Sequence, residues 1–226
     1  MKVLAIALAR YIGIVETVEL DPFGKIFYPP LVAAIAERYA FQNVPKTYAE
    51  MDEAKGIVFN DGYWEGVAIQ KLSILAGGIV IETRSSTQDS EKIAKDGLEW
   101  LASEHGLNYK EGMIKREGHM SQVIFQTNTR ILAHLNPALT ALSEKMSSNL
   151  GSLAGTKSSF ETTQILIHID TLTRKYPSAG FTIQRRIEVP FEDGKYFSEA
   201  PIPTAVHIGI LEQFEADIIA QASRKK

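Results

Sequence analysis

Thr163-Gln-Ile-Leu-Ile-His-Ile-Asp170, answered by Phe181-Thr-Ile-Gln-Arg-Arg-Ile-Glu-Val189, is the stretch that decides the fold. Successive side chains of a strand point to opposite faces, so strict alternation marks a half-buried antiparallel hairpin. Ile165, Ile167 and Ile169 share one face, and Leu166, His168 and Asp170 share the other. On the second strand Phe181, Ile183, Ile187 and Val189 face one way, and Thr182, Gln184, Arg186 and Glu188 the other.

Working outward, the remaining punctuation repeats the antiparallel theme. Val3–Ala9 and Ile12–Leu20 read as strands on either side of Arg10, and Asp21-Pro22-Phe23-Gly24 reads as a turn. Pro29-Pro30 opens a helix through Tyr39. Gln42–Lys55 reads as a loop, and Gly56–Phe59 as a short strand ending at Asn60-Asp61-Gly62. Val67–Leu75 and Ile79–Thr83 are joined by Ala76-Gly77-Gly78, a tight-hairpin signal because glycine takes positive φ freely.

Ser86 with Asp89 predicts a helix start and Gly106 its end. Leu107–Glu117 and Gln122–Thr127 read as a further hairpin. A helix over Arg130–Asn149 is expected to restart at Asn136-Pro137, and the last helix spans Thr204–Ser223. The sum is an α+β domain, an antiparallel sheet built from hairpins with about four helices packed on it. Strands and helices recur in a loose rhythm, but no sequence repeat at fixed period accompanies it. The chain of 226 residues is read as a single domain, residues 1–226, with a sub-boundary allowed near 151–160, where Gly151–Ser159 is rich in Gly, Ser and Thr.

Composition narrows the chemistry. With no cysteine, the chain has no disulfide, thiolate zinc site, iron–sulfur cluster or cysteine nucleophile. That suits a reducing, cytoplasmic setting. Lys2 followed by Val3–Ala9 has the look of a secretory leader, but Arg10 interrupts the run and a buried strand is the expectation. No apolar run approaches the roughly 18 residues needed to span a bilayer. A net charge of −3 does not support nucleic-acid binding. The terminal Arg224-Lys225-Lys226 is read as a solvated helix end.

The alternation gathers His168, Asp170, Arg186 and Glu188 on one surface. His168, Asp170 and Glu188 are the catalytic candidates, since a carboxylate beside an imidazole orients it and raises its basicity. Arg186 is a candidate anion binder. Arg185 falls on the apolar side between Ile183 and Ile187, where a guanidinium needs a carboxylate, a carbonyl or a ligand, unless a bulge shifts the alternation. Glu192-Asp193-Gly194-Lys195 reads as a turn before it reads as a metal-holding Asp-x-Lys. His207 reads as a core histidine of the last helix, and His105, His119 and His134 have no partner at zinc-helix spacing. Gly151–Ser158 ends in Thr-Lys-Ser and lacks the Gly-Lys-Ser/Thr of a phosphate loop. No metal and no cofactor are expected. Phe23–Tyr28 with Tyr63-Trp64 is a candidate contact patch if exposed.

Three functions follow in order of support: a non-enzymatic interaction subunit of a larger protein assembly, bound to a protein partner or self-associated; a metal-dependent hydrolase acting on a phosphoester; and an anion- or nucleotide-binding sensor using Arg185 or Arg186.

Overall fold

The structure, a computed structural model, describes residues 1–133, 135–155, 159–170 and 179–223. His134, Thr156–Ser158 and Arg224–Lys226, singled out above, lie outside the described residues. In chain order the elements are β1 (Lys2–Ile14), α1 (Thr17–Leu20), α2 (Tyr28–Arg38), β2 (Ile57–Trp64), β3 (Val67–Leu75), β4 (Gly78–Thr83), α3 (Thr87–His105), β5 (Arg116–Gln126), α4 (Pro137–Ala154), β6 (Gln164–Ile167), β7 (Phe181–Arg185), β8 (Lys195–Ala200) and α5 (Thr204–Ser223). The fold is α+β, and the hydrogen-bonded strand order is β2-β3-β4-β1-β5-β8-β7-β6.

The order contains one connectivity twice. Apart from the one-turn α1, after its first strand the chain forms a helix, three consecutive antiparallel strands and a second helix: β1-α2-β2-β3-β4-α3, then β5-α4-β6-β7-β8-α5. Lys2 and Arg116 open the first strands of the two runs, and Thr87 and Thr204 open their last helices.

By compactness the chain divides into two units. One comprises Ile6–Ser121 with Ile202–Thr204, and the other comprises Met1–Ala5, Gln122–Pro201 and Ala205 onward. In the Ile6–Ser121 unit, α2 and α3 bury Leu31, Val32, Ile35, Ile93, Ala94, Leu98 and Leu101 against Tyr11, Ile57, Phe59, Ile69, Leu72, Ile79 and Ile81 of the sheet. α3 starts as the capping residues demand. Ser86 Oγ accepts from Asp89 N at 3.0 Å, and Gly106 ends the helix in the left-handed region. Asp89 reaches back to the Ser86 hydroxyl instead of its backbone N–H.

Several boundaries differ from the sequence expectation. β1 is one strand through Arg10, because that side chain finds Glu82 on the neighbouring strand, its Nε donating at 2.9 Å. The residues after Ile14 turn into the one-turn α1. β2 runs past Asn60-Asp61-Gly62 to Trp64: Asp61 is skipped in the pairing with β3, and Gly62 leaves room for the Phe41 ring, which a β-carbon would meet at 2.4 Å. The hairpin turn falls instead at Glu65-Gly66, both at positive φ. In place of the hairpin expected between Leu107 and Thr127 there is the single long β5.

The second unit has a smaller core, with Val123, Phe125, Ile131, Leu132, Ile183, Tyr196, Leu211 and Ile218 buried. Asn136 caps α4 by accepting from Ala138 N at 2.7 Å with Pro137 in the first turn. α4 runs past Asn149 to Ala154, closed by Gly155 at φ 62°. The start of the Gly151–Ser159 stretch is therefore helical.

Candidate functional site

The decisive hairpin forms with the expected antiparallel pairing but shorter strands. Gln164 pairs with Gln184, Ile165 with Ile183, Leu166 with Thr182 and Ile167 with Phe181. β6 stops at Ile167 and β7 at Arg185, so His168, Asp170, Arg186 and Glu188 all lie outside the ladder, and all are exposed. His168 continues toward Gly180, where a β-carbon would come within 2.7 Å of its ring. At the other end Arg185 N donates to Thr163 O at 2.9 Å. Five residues of extended chain, roughly 17 Å, separate Thr163 from His168. The hairpin therefore carries His168 and Asp170 at one end and Arg186 and Glu188 at the other. Glu188 sits in a turn at φ 64°, where the two-residue period no longer sorts side chains by face.

Arg185 is the buried member of the set, 8% exposed. Its guanidinium donates to Val189 O at 3.3 Å and Pro190 O at 2.8 Å and lies 3.8 Å over the Phe191 ring. Burial lowers its pKa, with Arg130 adding repulsion and Tyr196, Glu192 and Asp193 opposing. Its donors thus fasten the chain reversal that follows β7. Glu192–Lys195 is a turn: a 3-10 turn at Phe191–Asp193, Gly194 at φ 57°, then β8.

His207 is fully buried on α5, its ring edge-on to Phe181. Its Nε2 lies 2.8 Å from Ser198 Oγ. Ser198 donates its single proton to Thr182 O at 2.7 Å, so in this bond Ser198 accepts and His207 Nε2 carries the hydrogen. That polarity is opposite to the one a base needs to activate a serine. Among the described residues no group of three or more His, Asp and Glu is placed to hold a metal ion.

A charged network lies in the other unit. The buried Tyr11 hydroxyl donates to Glu117 at 2.9 Å, and Lys95 bridges Glu117 at 3.2 Å and Glu91 at 2.6 Å. The Tyr11 donor and Lys95 hold the Glu117 carboxyl below its ordinary range. Burial first, then Glu117, pushes the Tyr11 phenol up. Of the aromatic patch, Phe23, Phe27 and Tyr63 are exposed, while Tyr28 and Trp64 pack against the core.

One feature is absent from the sequence reading: the outer face of α4. Leu139, Leu142, Met146, Leu150 and Leu153 are all exposed, Leu153 at 86%. At about 100° per residue they occupy an arc of about 80°. None of the described α4 side chains is buried. The face toward its own unit is small and polar instead: Thr140, Ser143, Ser147 and Gly151 are half-buried there, and Ser147 Oγ accepts from Phe160 N at 2.9 Å. α2, at the same place in the first run, buries Leu31, Val32 and Ile35. The spacing of these five residues is present in the sequence. Its orientation is not, because amphipathic period alone does not say whether the apolar stripe meets the chain's own core.

No protein-family model matches this chain, and no curated protein is significantly similar to it.

Proposed function

We propose that the chain is a non-enzymatic interaction subunit of a larger protein assembly, docking through α4. The carrying observation is the outward stripe Leu139, Leu142, Met146, Leu150 and Leu153 on a helix that turns serine and threonine toward its own unit. Exposed apolar stripes of this width are costly to leave in water and mark sites covered by another protein. Leu166 and Ile167 on the short end strand β6, together with Ile187 and Val206, add to the apolar surface of the same unit. No helix among the described residues is long and apolar enough to cross a membrane. The absence of cysteine suits a cytoplasmic setting.

The hydrolase reading draws no support from the hairpin, whose two ends hold its histidine and its arginine apart. A sensor built on Arg185 competes with the carbonyls and ring that already occupy that guanidinium.

The test is photocrosslinking in the native host, with a photoreactive phenylalanine analogue placed at Met146 and, as control, at the exposed Glu104 of α3. The expected result is protein adducts from position 146 well above those from position 104. Equal, background-level adducts from both positions would remove the proposal.

A further inference from the structure

The stripe on α4 has an order of its own. The steps from Leu139 to Leu142, Met146, Leu150 and Leu153 are three, four, four and three residues, the same read from either end, with Met146 at the centre. In an isologous two-fold contact residue i meets j and j meets i, so a stripe that reads the same in both directions lays each of its apolar side chains on another when the axis passes through its centre.

We infer that, within the interaction reading above on which this rests, the occupant of the α4 face is a second copy of this chain. The two α4 helices pair antiparallel about a two-fold axis at Met146. Leu139 then meets Leu153 of the other copy, Leu142 meets Leu150, and Met146 meets Met146. Methionine suits the axis, because an unbranched, adaptable side chain packs against its own image without a fixed shape.

The area and the charge agree with this occupant. The five side chains are between 37% and 86% exposed. They leave on the order of 500 Å² per copy and about 1,000 Å² for the pair, at the lower limit of specific interfaces. The contact is therefore a reversible one that responds to concentration. The helix carries one acid, Glu144, and one base, Lys145, so two copies bring no net repulsion. Lys145 and Asn149 border the stripe on the same margin. In the antiparallel pair Lys145 of one copy falls beside Asn149 of the other, whose amide nitrogen is held by Lys145 O of its own helix at 2.8 Å and whose oxygen remains to accept.

The chain has no cysteine, so introduced thiols report the geometry without background. Met146→Cys, Leu139→Cys and the double variant Leu139→Cys/Leu153→Cys are oxidised with copper–phenanthroline, and the unmodified protein is weighed by light scattering over a range of concentrations. The expected mass rises with concentration from 25.0 kDa to twice that value. The expected disulfides form in Met146→Cys and in the double variant, with Leu139→Cys at least tenfold slower. Equal cross-linking of all single-cysteine variants would indicate parallel or unspecific pairing and overturn the antiparallel axis. A constant mass of 25.0 kDa without cross-links overturns self-pairing. If adducts from position 146 in the native host then contain a different protein, the interaction reading survives alone. If there are none, both fall.

Discussion

Thr87 and Thr204 cap one another. The Thr87 backbone N–H donates to Thr204 Oγ1 at 3.1 Å, and the Thr204 N–H donates to Thr87 Oγ1 at 2.8 Å. Each is the first residue of the last helix in its run, and both are buried. The first N–H groups of a helix have no partner within it, and burial makes an unmet donor expensive. Thr87→Val or Thr204→Val therefore leaves one buried N–H unpaired and should cost about 1–3 kcal/mol in urea denaturation. The double variant leaves both N–H groups unpaired and should cost about the sum of the two, because each substitution keeps the donor and the acceptor of the other bond. A double variant no less stable than either single one would show that the freed donors find other partners.

Helix boundaries were legible where one residue supplies a specific local bond. Ser86, Gly106 and the Asn136-Pro137 pair all act as their chemistry suggests. The Ala76-Gly77-Gly78 hairpin and the pairing of β6 with β7 were legible for the same reason, since turn chemistry and two-residue alternation are local. Features set by distant partners were not. Arg10 continues its strand because of Glu82, and Gly62 stays in its strand because Phe41 packs over it. The oddity of Arg185 was visible in sequence, but its carbonyl partners at Val189 and Pro190 depend on where β7 ends. Alternation groups His168 and Arg186 by face, but face does not fix position along a strand, and the antiparallel register puts them at opposite ends of the hairpin.

The Arg185 guanidinium should be worth more to the turn than to any ligand. Arg185→Ala removes two donors from Val189 and Pro190 and the cation over Phe191. Loss of these contacts should destabilise the protein by about 2–4 kcal/mol. Arg185→Lys keeps a charge but not the planar fork, so it should recover only part of that. Hydrogen exchange at residues 186–191 is the readout. Unchanged protection in Arg185→Ala would mean the turn holds without it.

Gly194 and Gly209 should respond to alanine with opposite signs. Gly194 sits at φ 57°, and a β-carbon there would lie 2.1 Å from Thr127 O, a backbone atom that cannot swing aside. Gly194 O also accepts from Thr127 N at 3.0 Å, so strain at this site disturbs a bond as well. Gly194→Ala should cost at least about 2 kcal/mol. Gly209 lies within α5 with nothing near the position of a β-carbon. Gly209→Ala should stabilise by about 0.5–1 kcal/mol through the entropy of the unfolded chain. Thermal melts of the two variants should move in opposite directions, and a shared direction would contradict the backbone argument.

The Tyr11–Glu117 bond should confine part of the stability to a pH window. Glu117 is held below its ordinary value of 4.5 by the Tyr11 donor and by Lys95. A carboxylate with a depressed folded pKa contributes stability that is present above the unfolded value and lost as pH falls through the folded one. Tyr11 is pushed above its ordinary value of 10.0 by burial and by Glu117. A phenol with a raised folded pKa contributes stability that is present below the unfolded value and lost as pH rises past it. The two limbs bound one window, from roughly pH 5 to pH 10, in which the phenol is protonated and the carboxylate ionised. Tyr11→Phe removes the donor and the alkaline titration together. The stability difference between wild type and Tyr11→Phe should therefore be flat across that window and shrink on both sides of it. Lys95 pairs with Glu117 in both proteins, so its contribution cancels in the difference and the acid limb reports the Tyr11 donor. Urea titrations of both proteins from pH 3 to pH 11 check this, and a difference that does not vary with pH would mean Tyr11 stabilises through packing alone.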